Sequence, residues 1–380
     1  MLTAAVVESG ELARKTLPAT ASAAAIEPSP AVAPIRIALL GVGTVGRALL
    51  QRLGALAGSA LTQRLQLVHV ANSTQRFVPS PTAAWQSLPL VEGPGAATTA
   101  LGTHGTRILI DATASEVVAD QHAHWLAQGI HVVTACKLGQ GTALTRWRAI
   151  RAGCERGGAH YGDSATVGAG LPLLRSIREL QAGGDRIHGI AGVLSGSLAW
   201  LFNHYDGMRP FSALVRQARA AGYTEPDPRE DLSGEDVRRK LLILARAAGF
   251  ALDADAVEVD SLVPATLAAL TKDDVDAALP LLDAPLRERY AEAYKRGEKL
   301  RFVARLERGD NGCVRARVGL ESLPADDPLA GGTGTDNRVA ITCDRYRQQP
   351  LLIQGPGAGA HVTAAALLDD VLRIASIASV

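Results

Sequence analysis

The chain has 380 residues, with 39 Lys+Arg against 38 Asp+Glu, a length that can form two domains with a large core. No basic stripe with interleaved aromatic residues is present, and no apolar run approaches the roughly 20 residues of a membrane span, which excludes nucleic acid and membrane as partners. The absence of a CxxC pair favours a reducing cytosol over a disulfide framework or zinc site, and predicts a cytoplasmic protein. The four cysteines are Cys136, Cys154, Cys313 and Cys343.

Residues 1–34 are rich in Ala, Pro, Ser and Thr, and are predicted to form a disordered arm rather than a signal peptide. Residues 35–40, IRIALL, predict a buried parallel strand, after which GVGTVG leads into the helical run RALLQRLGAL. A strand, a GxGxxG motif and a helix in this order predict a dinucleotide-binding loop, whose second glycine admits a pyrophosphate to the helix N-terminus. A tight turn that binds no nucleotide is the alternative.

The second predicted strand, residues 65–71, bears on the choice of dinucleotide. NAD-specific sites usually have an acid at the end of this strand, which binds the ribose hydroxyls. Here the next residues read NSTQR, without a carboxylate. Because Arg76 could neutralise a 2′-phosphate, NADP is favoured over NAD. Arg76 could equally be a solvated loop residue, and residues 76–105 are predicted to be rich in loops.

Two further strands, residues 107–111 and 131–134, are predicted to end at the same edge of the sheet. Small hydroxylic residues, including Thr113, follow the first strand, where a dinucleotide would cross the sheet. Lys137 follows the second strand and therefore emerges on the face where ligands of α/β proteins bind. A strand near residues 159–161 is predicted to close this first domain.

Two stretches are candidates for metal binding. His122 and His124, on a helix predicted at 116–128, do not share a helix face and are predicted to be surface residues. Residues 166–172 read TVGAGLP, and their glycines could turn backbone carbonyls towards a monovalent cation. On spacing alone, a simple linker is the favoured interpretation of this second stretch.

The remainder of the chain predicts a mixture of helices and antiparallel strands. Residues 187–202 begin as a strand and pass through Ser-Gly-Ser into a helix. Residues 299–307 and 313–321 predict an antiparallel pair around a glycine-containing turn. The last glycine cluster, 353–359, precedes an apolar helix at 362–377, which could bring the C-terminus back against the nucleotide.

The stretch most suggestive of chemistry is 222–249, which reads GYTEPDPREDLSGEDVRRKLLILARAAG. Its prolines predict that the acids of the first half lie on a stiff, non-helical loop. Ser233 is predicted to open a helix, with Asp236 in the position of a capping-box acid. The same helix would place Lys240 four residues after Asp236, on one flank of an apolar stripe.

A lysine at the border of an apolar face, beside carboxylates, suits proton transfer. Partial burial lowers the pKa of an ammonium group and nearby carboxylates raise it, so the two effects can poise the group. The alternative is an ordinary surface ion pair between Asp236 and Lys240, since such pairs are common. The predicted stripe is Val237, Leu241, Leu244 and Ala248, and Arg238, Arg239 and Arg246 are predicted to point into solvent.

In this order, the motifs GVGTVG, IDATAS, HVVTACK, TVGAGLPLL and GYTEPDPREDLSGEDVRRKL resemble those of homoserine dehydrogenases, particularly the dehydrogenase portion of bifunctional aspartokinase–homoserine dehydrogenases. The resemblance spans most of residues 35–380 and implies an α/β fold without kinase or ACT domains. The expected organisation is a disordered arm (1–34), a Rossmann-type NAD(P)-binding domain (35–161), an α+β catalytic and dimerisation domain (162–350) and a C-terminal segment that returns to the nucleotide domain (351–380).

By position, the resemblance assigns proton donation to Lys240, with Lys137 near substrate and nicotinamide and Asp236 beside them. The substrate-binding residues that it implies are Glu225, Asp231, Tyr223 and Ser197, with Asp236 among the acids that hold the substrate's amino and hydroxyl ends. The expected cofactor-binding residues are Gly41, Gly43, Thr44, Val45, Gly46, Arg76, Thr113, Lys137 and Gly359.

The resemblance also implies a site for Na⁺ or K⁺. The carbonyls that relatives use fall on Val167, Ala169 and Leu171. The acid that relatives add to this site falls on Ser164, with Asp163 one position away, so retention of the site is an open question.

The implied activity is the reversible NAD(P)H-dependent reduction of L-aspartate 4-semialdehyde to L-homoserine, by a homodimer. One rival hypothesis is a thiol-dependent semialdehyde dehydrogenase with Cys136 as nucleophile, although no histidine motif for its base stands out and a packing role is favoured. Cys136 occupies a position where relatives usually have Asn. A second rival is a non-catalytic NADP-binding sensor, which the acids, Lys137 and Lys240 argue against.

Overall fold

A computed structural model describes residues 34–78, 86–89, 95–309 and 312–377. The arm predicted at 1–34 lies almost wholly outside this part of the chain. The first strand begins at Ile35, as the apolar run IRIALL predicted. No helix among the described residues is long and apolar enough to cross a membrane.

Within the described residues, the first sheet has seven strands in the order β4-β3-β2-β1-β5-β6-β7. The central strands β2, β1, β5, β6 and β7 pair in parallel, whereas β3 and β4 extend the edge in antiparallel fashion. The strand order reverses at β1, which lies between β2 and β5, so a crevice opens at the carboxyl ends of these strands. The bounds are β1 Ile35–Leu40, β2 Leu65–Ala71, β3 Gln75–Val78, β4 Gln86–Pro89, β5 Arg107–Asp111, β6 His131–Thr134 and β7 Tyr161–Gly162.

Helices cover both faces of this sheet, which explains why every residue of β1 except Arg36 is apolar. One face packs against α1 (Thr44–Ala55) and the other against α3 (Glu116–Ala127) and α4 (Leu144–Gly157). The prediction that residues 76–105 are mostly loop was wrong in part. That region contains β3, β4 and the helix α2 (Gly95–Leu101).

The second sheet of the described chain has six strands in the order β13-β12-β8-β10-β11-β9, and the predicted antiparallel pair is β10 and β11. All of its pairings are antiparallel except that of β9 with β11. The bounds are β8 Ile187–Val193, β9 Val257–Val259, β10 Lys299–Arg308, β11 Val314–Leu323, β12 Asp336–Cys343 and β13 Leu351–Pro356.

The main core of the molecule lies between this second sheet and a layer of helices. The helices of this part are α5 Leu173–Ala182, α6 Gly196–His204, α7 Phe211–Ala220, α8 Arg229–Leu232, α9 Glu235–Ala247, α10 Ala265–Ala268, α11 Val275–Ala278 and α12 Asp283–Lys295. The predicted apolar stripe of α9 is buried in this core.

The last helix, α13 (Ala360–Ile377), packs against the first sheet rather than the second. Leu367 and Val371 are fully buried in one cluster with Ile37 and Leu39 of β1 and Leu49 of α1. The apolar face of α13 therefore covers the sheet that carries the glycine-rich loop. The predicted domain boundaries themselves stay a prediction.

Candidate active site

The glycine-rich loop lies between β1 and α1, and each of its glycines meets a different steric demand. Gly41 has φ +96°, and a Cβ there would lie 2.6 Å from the carbonyl oxygen of Ala112. A Cβ on Gly46 would collide with the carbonyl of Gly41, so this glycine permits close packing of helix and strand. A Cβ on Gly43 would meet nothing within 4 Å. The absence of a side chain at Gly43 therefore leaves open space above the loop.

A cleft of about 510 Å³ opens over this loop, at the carboxyl edge of the first sheet. Helix α1 begins at Thr44 and Val45 without a side-chain cap, so its first amide groups remain available to an anion. An open cradle at Gly43 beside uncapped amides is the arrangement that a pyrophosphate needs. The lining includes Gly41, Gly43, Asn72, Ser73, Thr113 and Ser115.

Of the residues predicted to bind the dinucleotide, only Gly41, Gly43 and Thr113 line this cleft. The others do not, namely Thr44, Val45, Gly46, Arg76, Lys137 and Gly359. Arg76 is half-buried on β3, opposite Ala71 of β2, so its interpretation as a loop residue was wrong. Burial, and then the positive charge of Arg76, lower the pKa of His69. Gly359 has φ +130° and precedes α13, where its carbonyl accepts hydrogen bonds from the amide and hydroxyl of Thr363.

Lys240 lies on α9 with its side chain only 11% exposed. Its ammonium nitrogen is 2.7 Å from Asp236 Oδ2 and donates to the carbonyl of Leu194, also at 2.7 Å. Lys137, from the segment after β6, lies 3.4 Å from the other oxygen of Asp236. The fold thus brings together the three residues predicted to be catalytic. The interpretation of Lys240 as an ordinary surface residue was wrong.

The carboxylate of Asp236 is the shared partner of both lysines. Its loss of water on burial opposes ionisation, but the ammonium groups of Lys240 and Lys137 outweigh this and hold the pKa of Asp236 well below its usual range. Asp236 is therefore a fixed negative charge and is not suited to exchange protons. Of this group, the lysines are the candidates for proton transfer.

The start of α9 differs from the predicted capping box. Gly234, with φ +77°, precedes the helix and provides no side-chain cap. The Ser233 hydroxyl donates to the carbonyl of Glu230 and accepts the Glu235 amide at 3.3 Å, rather than the amide of Asp236 that a capping box requires. The acids before it are not all on non-helical backbone, since Glu230 and Asp231 belong to the short helix α8. Tertiary contact explains the change, because Asp236 is turned towards Lys137 and Lys240 rather than back to the helix start.

Arg246 was predicted to be solvated, but it is only 2% exposed. Its guanidinium donates to the carbonyls of Gln140, Thr142 and Leu252. Burial lowers the pKa of Arg246 to about 10. The arginine thus ties α9 to the chain that follows Lys137, and the wrong prediction arose because helical periodicity does not show that a second segment covers this face.

The residues predicted to bind substrate surround Asp231. Its Oδ1 accepts a hydrogen bond of 2.7 Å from the Ser197 hydroxyl, and its Oδ2 accepts one of 2.8 Å from the Glu225 amide. Burial raises the pKa of Asp231 despite these two bonds, and nearby Asp236 and Glu230 add to the increase. The Glu225 side chain is exposed, and the Tyr223 ring packs against Trp200 at an interplanar angle of 33°, with 5.3 Å between centroids. Acidic and hydroxyl groups therefore converge on one loop.

Cys136 is buried, at 4% exposure, immediately before Lys137. Burial and the negative charge of Asp111 raise the pKa of its thiol to about 12. A thiolate nucleophile is therefore strongly disfavoured at this position. This environment supports the packing role that the sequence favoured.

The stretch proposed for a cation turns sharply, since Gly168 has φ +73° and Ala169 has φ +50°. Non-glycine residues rarely adopt this conformation, and Ala169 does so without a Cβ branch. Asp163 does not face an ion, because Arg178 donates two hydrogen bonds of 2.7 Å to its carboxylate. Ser164 donates its amide and hydroxyl to Asp370 of α13.

Volume alone does not identify the site. A wider cleft of about 940 Å³ runs over the second sheet, beside Ile190 of β8 and Leu306 of β10. Neither Lys240 nor the glycine-rich loop lines it. The smaller cleft over the first sheet is the one with uncapped helix amides and an open glycine.

Sequence analysis missed two groups near Lys240. The Leu194 carbonyl, which accepts from Lys240, also lies 3.4 Å from the Asn337 amide nitrogen. Asn337 is fully buried, its amide oxygen is without a partner, and a Cβ on Gly357 would occupy the same space. A backbone carbonyl carries no sequence signal, so only the glycines around 357 hinted that a side chain packs closely there.

A doubly wound parallel sheet, a glycine-rich cradle at its carboxyl edge and a buried lysine paired with a half-exposed aspartate together define a nucleotide-dependent oxidoreductase. Comparisons with known proteins agree. The family model "Homoserine dehydrogenase, NAD binding domain" matches residues 41–161, and the model "Homoserine dehydrogenase" matches residues 172–372. The chain belongs to the homoserine dehydrogenase family.

Individual relatives give the same assignment. The homoserine dehydrogenase of Emericella nidulans is 36% identical over 90% of this chain and 98% of its own length. The bifunctional aspartokinase/homoserine dehydrogenase 2 of Zea mays is 42% identical over 71% of this chain, which spans only 29% of that relative. A crystal structure of a Candida auris protein of unknown function superimposes with a TM-score of 0.80 at 34% identity, covering 90% of this chain and 98% of that one.

Proposed function

We propose that this chain catalyses the reversible NAD(P)H-dependent reduction of L-aspartate 4-semialdehyde to L-homoserine. The observation that carries the proposal is the buried ammonium group of Lys240, held 2.7 Å from Asp236 on the helix that follows the acidic loop. Enzymes of this family are oxidoreductases that act on a CH–OH group with NAD(P), and the chain has the family's nucleotide domain.

The nicotinamide, when bound, supplies the hydride that reduces the aldehyde carbon. Lys240 provides the proton for the carbonyl oxygen, so that the C=O double bond becomes a C–OH single bond, and it takes that proton back in the reverse direction. An ammonium group has three N–H donors. Asp236 and Leu194 engage two of these donors, which leaves one to reach the substrate oxygen.

Lys137 adds positive charge on the nucleotide side of Asp236. We assign it to stabilising the developing oxyanion and to contacting the nicotinamide, because it follows β6 at the edge where the cleft opens. Asp236 keeps both ammonium groups in place and offsets their mutual repulsion. Asp236 therefore acts through the lysines and also borders the substrate.

The substrate is an α-amino acid, so its ammonium group needs acidic partners. Asp231 and the exposed Glu225 provide them, with Ser197 fixing Asp231 and Tyr223 lining the same loop. Asp227 of the same loop pairs with Arg229, so the acids that this role concerns are Asp231 and Glu225.

NADP is proposed as the preferred dinucleotide. No carboxylate follows β2, where an acid would repel a 2′-phosphate, and Asn72 instead accepts the amides of Thr74 and Gln75 in a tight turn. Arg76 lies one residue beyond this turn, half-buried on β3, and its positive charge is proposed to neutralise the phosphate. Gly359 is proposed to contact the dinucleotide from the start of α13.

A Na⁺ or K⁺ site is proposed at the carbonyls of Val167, Ala169 and Leu171. The consecutive positive φ angles of Gly168 and Ala169 support it, because they reverse the direction of neighbouring carbonyls. Asp163 is paired with Arg178, so this proposal uses backbone oxygens alone.

Several broader features are proposals on the strength of the family resemblance. They are a homodimer, a cytoplasmic location, and domains at 35–161 and 162–350 with a returning segment at 351–380.

The rival hypothesis of a sensor without catalysis predicts nucleotide binding alone. The deciding experiment follows the absorbance of reduced nicotinamide when homoserine is added with NADP⁺ or NAD⁺. Binding of the dinucleotide without any homoserine-dependent change would refute the proposed activity and favour the sensor.

A further inference from the structure

Asp111, the last residue of β5, is fully buried at 0% exposure and has no role in the proton transfer described above. Its Oδ1 accepts two hydrogen bonds from Thr113, one from the amide at 2.9 Å and one from the hydroxyl at 2.6 Å. Thr113 lines the dinucleotide cleft. The buried carboxylate of Asp111 thus fixes the position of Thr113, which lines the dinucleotide cleft.

The second oxygen of Asp111 faces His122, which was wrongly predicted to be a surface residue. His122 is also at 0% exposure, and its Nε2 lies 3.0 Å from Asp111 Oδ2. Its Nδ1 lies 3.0 Å from the hydroxyl of Tyr161. Burial raises the pKa of Tyr161, so the phenol keeps its proton and can donate to Nδ1. With the phenol donating to Nδ1, the Nε2–H of His122 donates to Asp111.

Asp111 also anchors the segment that leads to Lys137. The hydroxyl of Thr134 lies 3.1 Å from the Asp111 carbonyl and 3.3 Å from Asp111 Oδ2, and it accepts the Cys136 amide at 2.8 Å. The Ala135 amide donates to the same carbonyl at 3.1 Å. Both residues that precede Lys137 are therefore bonded, directly or through Thr134, to Asp111.

We propose that Asp111 and His122 form a positioning unit that sets both Thr113 in the dinucleotide cleft and the segment that presents Lys137 to Asp236. The inference rests on the proposed function and deepens it, since it names residues that act through others. A buried carboxylate is tolerated only when donors satisfy it. Here donors approach both oxygens of Asp111. Oδ1 accepts from Thr113 in the dinucleotide cleft, and Oδ2 lies near His122 and the Thr134 hydroxyl, which bonds the segment before Lys137.

A carboxylate is needed because both of its oxygens accept. Asparagine has one acceptor oxygen, so Asp111→Asn must turn an NH₂ group either to the donors of Thr113 or to His122 Nε2–H. An NH₂ group turned to Thr113 sets donor against donor, whereas one turned to His122 forces the imidazole proton onto Nδ1 and reverses its hydrogen bond with Tyr161. In both cases the negative charge that Thr113 faces is lost. The substitution preserves size, so the packing of β5 is kept while the positioning is lost.

Asp283→Asn is a matched control. Asp283 also accepts an amide and a hydroxyl from one residue, Ser212, at 2.7 and 2.9 Å. That pair joins α7 to α12, and the neighbouring Phe211 and Leu282 belong to the core of the second sheet. We expect Asp111→Asn to raise the Kd for NADPH, measured by nicotinamide fluorescence, by at least about tenfold, the loss typical of a charged hydrogen-bond acceptor. Asp283→Asn should leave this Kd within about twofold of the unsubstituted chain.

Thr134→Val tests the positioning of the Lys137 segment separately from that of Thr113. Valine keeps the shape of threonine and removes the hydroxyl that links Asp111 to Cys136. We expect it to lower kcat for homoserine oxidation by about tenfold, the loss typical of one buried hydrogen bond, with the Kd for NADPH nearly unchanged. This split between turnover and binding is not expected from loss of stability alone.

The outcomes distinguish the two proposals. Equal Kd values for Asp111→Asn and Asp283→Asn, with NADPH bound tightly by the unsubstituted chain, would overturn the positioning unit and leave the proposed function standing. Absence of NADPH binding by the unsubstituted chain would overturn both. If Asp111→Asn does not fold, Thr134→Val decides, and an unchanged kcat in that variant contradicts the inference.

Discussion

Lys137 and Lys240 approach opposite oxygens of a single carboxylate, that of Asp236, at 3.4 and 2.7 Å. Lys137 follows β6 of the first sheet, whereas Lys240 lies on α9, which packs against the second sheet. Two ammonium groups this close would repel each other without the shared anion. The arrangement joins the nucleotide side and the substrate side of the proposed site through one charged group.

Lys240→Ala is expected to lower kcat by about two orders of magnitude or more, the usual contribution of general acid–base catalysis. Dinucleotide affinity should stay near its original value, because Lys240 lies on α9 and does not line the cleft over the glycine-rich loop. Steady-state kinetics with homoserine, together with NADPH fluorescence titration, measure the two quantities. Lys299→Ala, which removes an exposed lysine at the start of β10, is the control and should retain turnover. Near-normal kcat in Lys240→Ala would remove this residue from the mechanism.

Asp231→Asn is expected to weaken homoserine binding while the folded state becomes more stable at neutral pH. The pKa of Asp231 is raised by burial, so its folded pKa exceeds its unfolded pKa. Ionisation therefore costs more in the folded state, and stability falls as pH rises through the folded pKa. Asp231→Asn removes the ionisable group, so the stability of the folded state no longer falls as pH rises through this range. Melting temperatures across the acid-to-neutral range and the KM for homoserine test both parts.

Asp227→Asn, on the same loop, provides a control of opposite sign. The pKa of Asp227 is lowered by its hydrogen bonds with Arg229, so this carboxylate stabilises the fold above its unfolded pKa and ceases to do so as pH falls through its folded pKa. Asp227→Asn should therefore lower the melting temperature at neutral pH. A decrease for both substitutions would contradict the account of Asp231.

Arg76→Ala is expected to raise the KM for NADPH by about tenfold, because one charged contact to the 2′-phosphate is lost. The KM for NADH, which lacks that phosphate, should change by no more than about twofold. Arg148→Ala, which removes an exposed arginine of α4, controls for a general loss of positive charge. Equal changes in both KM values would show that Arg76 does not recognise the phosphate.

Cys136→Ser is expected to retain turnover, since a thiol whose pKa is raised to about 12 does not provide a thiolate at neutral pH. Mass spectrometry after brief iodoacetamide treatment should find label at the exposed Cys313 before it appears at Cys136. Loss of activity in Cys136→Ser without loss of stability would revive the thiol mechanism.

Replacing Na⁺ and K⁺ with tetramethylammonium at constant ionic strength is expected to lower turnover, because the carbonyls around Ala169 would lose a small cation that the larger ion cannot replace. The salt dependence of kcat and KM for homoserine is the measurement, with lithium as a further comparison. Identical kinetics in all salts would show that this turn needs no cation.

Local sequence patterns predicted much of this chain. The glycine-rich loop between strand and helix follows from steric rules that hold within a few residues, and the buried stripe of α9 follows from helical periodicity. The proximity of Lys137 to Lys240 was implied by the family resemblance. Neither periodicity nor spacing could have predicted it, because the two residues meet only after two sheets have formed.

Two of the errors share one physical cause, which is burial by a distant segment. Arg246 was assigned to the surface because it lies off the predicted stripe of α9, and His122 because it shares no helix face with His124. The carbonyl of Gln140 satisfies Arg246 in the interior, and the carboxylate of Asp111 satisfies His122 on the buried face of α3. The capping-box prediction failed for a different reason, since Asp236 binds Lys240 of its own helix and Lys137 of a distant segment rather than the helix end.

By itself the sequence determined the nucleotide loop, the helix that carries Lys240 and the acids before it, because these depend on contacts between chain neighbours. Only the tertiary structure decided which polar groups are buried and what they bind. Asp111, Arg246 and Lys240 each have a partner from a separate segment, and a buried charge can be tolerated only once those segments have closed around it.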